Sequence, residues 1–70
     1  MEKIKVYYDR EGNTLTVWFG DSANDYICEE TGDEVILMKD KDGRVLGFEK
    51  LNYLPNPPAE RNIVFETAMV

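Results

Sequence analysis

The sequence predicts a mainly β fold: a small antiparallel sheet of consecutive β-hairpins, about five to six strands, with little or no helix. An acid-x-acid-Gly turn occurs twice, as Asp9-Arg10-Glu11-Gly12 and, 31 residues later, as Asp40-Lys41-Asp42-Gly43. Each copy lies between stretches in which apolar and polar residues alternate with period two, the pattern of a half-buried strand. Those stretches are rich in β-branched and aromatic residues, which fit a pleated surface.

Taken in order, residues 2–8 and 14–19 are the strands of a first hairpin. Residues 20–24 are a loop by composition, and 26–30 form a short strand turning at Thr31-Gly32-Asp33 into a strand over 34–39. Residues 44–51 form the fifth strand, with Gly47 marking a bulge or a close backbone approach. The string Pro55-Asn56-Pro57-Pro58 is incompatible with helix or central strand, so 55–61 is an extended loop. Residues 1–54 are thus a hairpin-repeat β domain, and 62–70 add a C-terminal strand to it. A helix over 59–70 is the competing reading; Ile63, Phe65 and Thr67 in period two favour the strand.

Glycine ending each turn tolerates positive φ, and the acids before it suit positions where a carboxylate accepts from nearby amides. A four-residue loop over 9–12 pairs Val6 with Leu15 and Ile4 with Val17, and the second copy pairs Leu37 with Leu46 and Val35 with Phe48. A three-residue loop would put Val6 and Leu15 on opposite faces. The expected core is therefore Ile4, Val6, Leu15, Val17, Phe19, Val35, Leu37, Leu46 and Phe48.

Seventy residues make one domain with a thin stability margin, and a single cysteine leaves no intrachain disulfide to widen it. Self-association is expected, as a homo-oligomer. No leading apolar segment follows a basic start and no apolar run nears membrane-spanning length, so a soluble, reducing, cytoplasmic setting is expected. Fourteen acids against eight bases give a net charge of −6, and no base occurs between Arg10 and Lys39. Such a surface repels phosphate backbones and attracts a basic protein. The blander role of these acids is solubility.

Catalytic chemistry lacks its parts. The sequence has no His, and Cys28 stands beside Glu29 and Glu30, which disfavour a thiolate. Asp40-x-Asp42-Gly43 resembles the start of a calcium loop, but the bidentate acid such a loop needs falls on a strand pattern, so a structural turn is the better reading. No zinc spacing and no Gly-rich phosphate loop occurs. No catalytic residue, metal ligand or cofactor is expected, and the protein is not expected to be an enzyme.

Opposite the core registers stand Tyr7, Trp18, Ile36 and Met38. Exposed together, they would form an apolar patch of the kind that marks an interface, with self or with another protein. The alternative is a second small core covered by the C-terminal segment. Both readings stand at this point.

The strings Tyr8-Asp9-x-Glu11-Gly12-x-x-Leu15-x-Val17 and Val35-Ile36-Leu37-Met38-x-Asp40-x-Asp42-Gly43-Arg44-Val45-Leu46-Gly47-Phe48-Glu49 resemble the DUF2283 family of short bacterial and cyanobacterial domains of unknown function. The resemblance implies a small, mostly β protein and supplies no activity, ligand or catalytic residue. Some members resemble the antitoxin half of two-gene toxin pairs by genomic setting. A small interaction module, antitoxin-like and binding a basic protein, is the function expected; a self-associating structural β module without catalysis is the alternative.

Overall fold

Five strands make one antiparallel sheet: β1 (Lys5–Asp9), β2 (Thr14–Trp18), β3 (Ile27–Glu30), β4 (Val35–Lys39) and β5 (Val45–Lys50), in the order β1-β2-β5-β4-β3. The computed structural model describes residues 3–20 and 25–69, and the expected loop at 20–24 lies outside them except for Gly20. Among the described residues the one helical element is a 3₁₀ turn over Pro58–Glu60, inside the expected proline loop. No helix of the described residues is long and apolar enough to cross a membrane.

Both copies of the acidic turn are hairpins, and in each the leading aspartate caps the loop. The Asp9 carboxylate accepts from the amides of Glu11 (3.1 Å) and Gly12 (3.2 Å). Asp40 accepts from the amides of Asp42 (2.9 Å) and Arg44 (2.9 Å). The repeat in the sequence is thus a repeat of one device, an acid holding the backbone amides of its own turn.

The registers differ from expectation by a fixed step. β1 pairs β2 with Val6 opposite Val17, Tyr8 opposite Leu15 and Asp9 opposite Thr14, so the four-residue loop runs from Arg10 to Asn13. Its left-handed residue is Asn13, at φ 54°, and not Gly12. Asparagine tolerates that region, which moved the loop one residue along and the pairing by two. A shift of two keeps every side chain on its expected face.

The second hairpin reaches the same outcome differently. Asp40 and Arg44 close a three-residue loop whose last residue, Gly43, has φ +85°. That loop alone would flip the faces. The ladder, however, is irregular at Met38/Lys39: Lys39 pairs Val45 while Met38 pairs Gly47, leaving Leu46 as an extra residue. The bulge restores parity, so Leu37 pairs Phe48 and Val35 pairs Lys50.

β2 joins the two halves by pairing with β5, Val17 opposite Phe48 and Trp18 opposite Gly47. Gly47 is buried, and a Cβ there would strike the Val17 carbonyl oxygen and stand 3.1 Å from Trp18 Cα. The seam closes because that side chain is missing.

Cross-strand partners share a face, which sorts the apolar residues into two sets. One face, here the valine face, carries the continuous row Val6, Val17, Phe48 and Leu37 across four strands, with Tyr8, Leu15 and Val35 beside it. The other, the tryptophan face, carries Tyr7, Thr16, Trp18, Gly47, Met38, Ile36 and Glu49. Among the described residues the buried apolar side chains are Leu15, at 9% exposure, and Met38, at 3%. Leu15 belongs to the expected core, whereas Ile4 (68%), Val6 (38%) and Phe19 of that set are exposed. The remaining expected core residues are half-buried.

The expected strand at 62–70 is not formed over the described residues 62–69. The chain there forms no helix or strand, with Val64 at 93% exposure and Ile63 half-buried. Period-two alternation describes the segment correctly, but a strand also needs a partner edge, and the chain leaves the sheet through the proline loop without meeting one.

Gly47→Ala is expected to cost about 2 kcal/mol, lowering the thermal midpoint by roughly 10 °C, because the clash is with backbone. Gly12→Ala should cost under about 1 kcal/mol, since the added Cβ meets only the movable end of the Asp9 carboxylate at 2.7 Å. Thermal unfolding followed by circular dichroism separates the two; equal losses would contradict the seam and turn assigned here.

Candidate interaction face

The four residues singled out as an outward patch, Tyr7, Trp18, Ile36 and Met38, do share one face. They are not equally open. Tyr7 is exposed on the edge strand, Trp18 and Ile36 are half-buried, and Met38 is the most buried apolar side chain among the described residues. Met38 is therefore a core residue, a correction to an exposed patch that includes it. Tyr26, in the connection between β2 and β3, adds to this face. It sets its ring edge-on to Trp18, centroids 5.1 Å apart at 74°. With no side chain at Gly47 between Trp18 and Met38 in the same cross-strand row, this face has the makings of a small core.

The valine face is covered at one end only. Tyr53 packs edge-on against Tyr8, centroids 6.4 Å apart. Asn13, at 4% exposure, latches this segment down: its side chain accepts from the Tyr8 hydroxyl (2.7 Å) and the Leu54 amide (2.9 Å) and donates to the Leu54 carbonyl. Its own carbonyl accepts from the Tyr53 amide at 3.0 Å. Sequence reasoning missed Asn13 because an asparagine after a glycine turn carries no mark of a partner 41 residues away. Arg61 continues the attachment, donating to the carbonyls of Asn56 and Arg10.

Beyond that end, no strand or helix of the described residues packs across Val6, Val17, Phe48 and Leu37, of which Val6 is exposed and the other three are half-buried. The charges on this face are matched within it. Lys39 pairs with Glu29 at 2.6 Å, and Lys50 pairs with Glu34 at 3.3 Å. Hydrogen bonds from Asn52 and Lys50, with the Lys50 charge, hold the Glu34 carboxyl below the ordinary glutamate range. A lowered folded value means that its contribution to stability is present above the ordinary glutamate value and is lost as pH falls through the lowered one.

The two edge strands differ in charge. β1 carries Lys5 and Asp9, whereas β3 carries Glu29 and Glu30 and leads into Asp33 and Glu34, all exposed. Cys28, also exposed, lies on β3. Among the described residues, two of the shallow hollows lie beside the sheet. The first, of about 180 Å³, is lined by Glu30, Gly32, Glu34, Val35, Ile36 and Leu51. The second, of about 440 Å³, is lined by Asp25, Asp40, Lys41 and Asp42. Neither combines an apolar wall with converging polar groups on the scale of a small-molecule site, roughly 300–1,000 Å³.

Asn13→Ala is expected to destabilise by about 3 kcal/mol, losing three side-chain hydrogen bonds and a residue suited to positive φ. Asn13→Gly keeps the backbone preference and loses the bonds, and should cost about 2 kcal/mol. Urea unfolding of both variants checks this; a neutral glycine variant would mean that the latch carries no weight.

No curated protein and no solved structure matches the chain. Residues 5–53, which contain all five strands, match the family described as Protein of unknown function (DUF2283). With its hairpins, its five-stranded sheet and that match over most of its length, the chain belongs to the DUF2283 family.

Proposed function

We propose that this protein is a non-catalytic interaction module whose valine face docks onto another polypeptide, either itself or a different protein. The observation that carries this reading is the row Val6, Val17, Phe48 and Leu37, exposed or half-buried, on a sheet over which the described residues place no second strand or helix layer. A sheet with an apolar face gains its stability by packing that face on another element. A pocket or an activated nucleophile would favour catalysis; what supports binding is a flat apolar surface with a charged rim.

A second reading has its own support. The β3 edge and the turn after it present Glu30 and Asp33 beside the paired Glu29 and Glu34, and acids gathered on one edge speed capture of a basic protein such as a ribonuclease-like toxin. In this antitoxin-like role the edge makes the contact and the valine face is secondary. The lone, exposed Cys28 suits a reducing, cytoplasmic setting for either role.

Val6→Lys and the pair Glu30→Lys with Asp33→Lys separate the readings when each tagged protein is used to capture partners from its host. The proposal expects Val6→Lys to abolish capture and the edge pair to leave it largely intact. The opposite pattern would move the function to the acidic edge.

A further inference from the structure

We infer that the polypeptide covering the valine face is a second copy of this chain, packed face to face about a two-fold axis. The inference rests on the valine-face reading and names its partner.

Surface area gives the first argument. A compact monomer of this mass, 8.1 kDa, exposes about 4,500 Å² by the usual scaling, whereas this chain exposes 5768 Å². The excess, on the order of 1,200 Å², includes the exposed residues 64–69 as well as the sheet, and exceeds the ~800 Å² that each partner buries in a standard interface. The radius of gyration agrees: 13.4 Å, against about 11 Å for a compact chain of this length.

Charge gives the second. A net charge of −6 opposes self-association wherever the acids face one another. On the valine face Glu29 is taken by Lys39 and Lys50 by Glu34, so two copies meeting there bring no unpaired like charges together. A basic partner, conversely, finds no free acid in the row. Its complement is at the β3 edge.

Shape gives the third. The row Val6, Val17, Phe48, Leu37 spans four adjacent strands, about 14 Å at the usual strand spacing. A two-fold axis through it sets the same residues against themselves, closing the assembly at two chains with the layers about 10 Å apart, as in a β-sandwich. The chain's own tail is the rival occupant. It offers Val64, Phe65 and Met69, all exposed, and only Ile63 of its described apolar residues is half-buried. One extended segment is too narrow to form a layer over five strands.

Sedimentation equilibrium of the chain tests this directly. The expected result is a two-chain mass at tens of micromolar. Val6→Lys, on an edge strand where a monomer tolerates it, should raise the dissociation constant by about tenfold or more with an unchanged circular dichroism spectrum. Tyr7→Lys, its neighbour on the other face, should leave the constant within about threefold. A Tyr7→Lys effect without a Val6→Lys effect would overturn the assignment, as would masses growing past two chains, which would indicate edge-to-edge pairing. A one-chain mass at 200 μM, roughly 200-fold above a micromolar constant, would also overturn it. In that last case a fluorescent hydrophobic dye decides what survives. Dye bound by the monomer and lost in Val6→Lys leaves the docking-face proposal standing without the second copy, whereas no dye binding, restored by removing residues 64–70, means the tail covers the face and both proposals fall.

Discussion

The pairing of β2 with β5 is the contact on which the rest of this structure depends. The β1–β2 hairpin alone has too little to bury, as isolated two-stranded hairpins generally do. Its union with β5 brings in β4 and β3 and turns two local hairpins into one sheet. The seam needs a residue without a side chain at Gly47, because the Val17 carbonyl and Trp18 Cα occupy the space a Cβ would take. One residue before it, the extra Leu46 corrects the parity set by the three-residue turn. Had the bulge been absent, Leu37 and Val35 would face away from Val17 and Val6, and the apolar row would be broken.

The seam produces a sheet that is apolar on both sides and thick on neither. One side draws on the β2–β3 connection, through Tyr26 on Trp18, and buries Met38. The other is latched at one end by Asn13 and open beyond it. In a chain of this size association then adds stability to a fold the monomer already has, since the surface left open on the monomer is the surface offered to a partner. That coupling, more than any catalytic group, is the physical basis of the proposed role.

Much of the fold was legible because period-two alternation and turn acids are local. Asp9 and Asp40 marked the turns, and the face of each strand residue followed from parity. The register did not follow, because it depended on which residue accepts positive φ, and Asn13 rather than Gly12 does so. The second register depended on a bulge at Leu46, which Gly47 marked by place but whose effect on the pairing no local pattern announces. The candidate site was legible in part: Tyr7, Trp18, Ile36 and Met38 share a face, but parity assigns a face without saying how much of it is buried, and Met38 is buried. The tail alternates like a strand, and alternation cannot say whether an edge is within reach.

The central claim is that the apolar row on the valine face is shielded by a second polypeptide copy. The most direct measurement is methyl relaxation by a soluble paramagnetic probe, at Val6, Val17 and Leu37, across a dilution series. Methyls protected at high concentration and progressively exposed on dilution, with backbone signals unchanged, are the predicted result. Methyls equally exposed at every concentration, or protected even at the lowest, would contradict it.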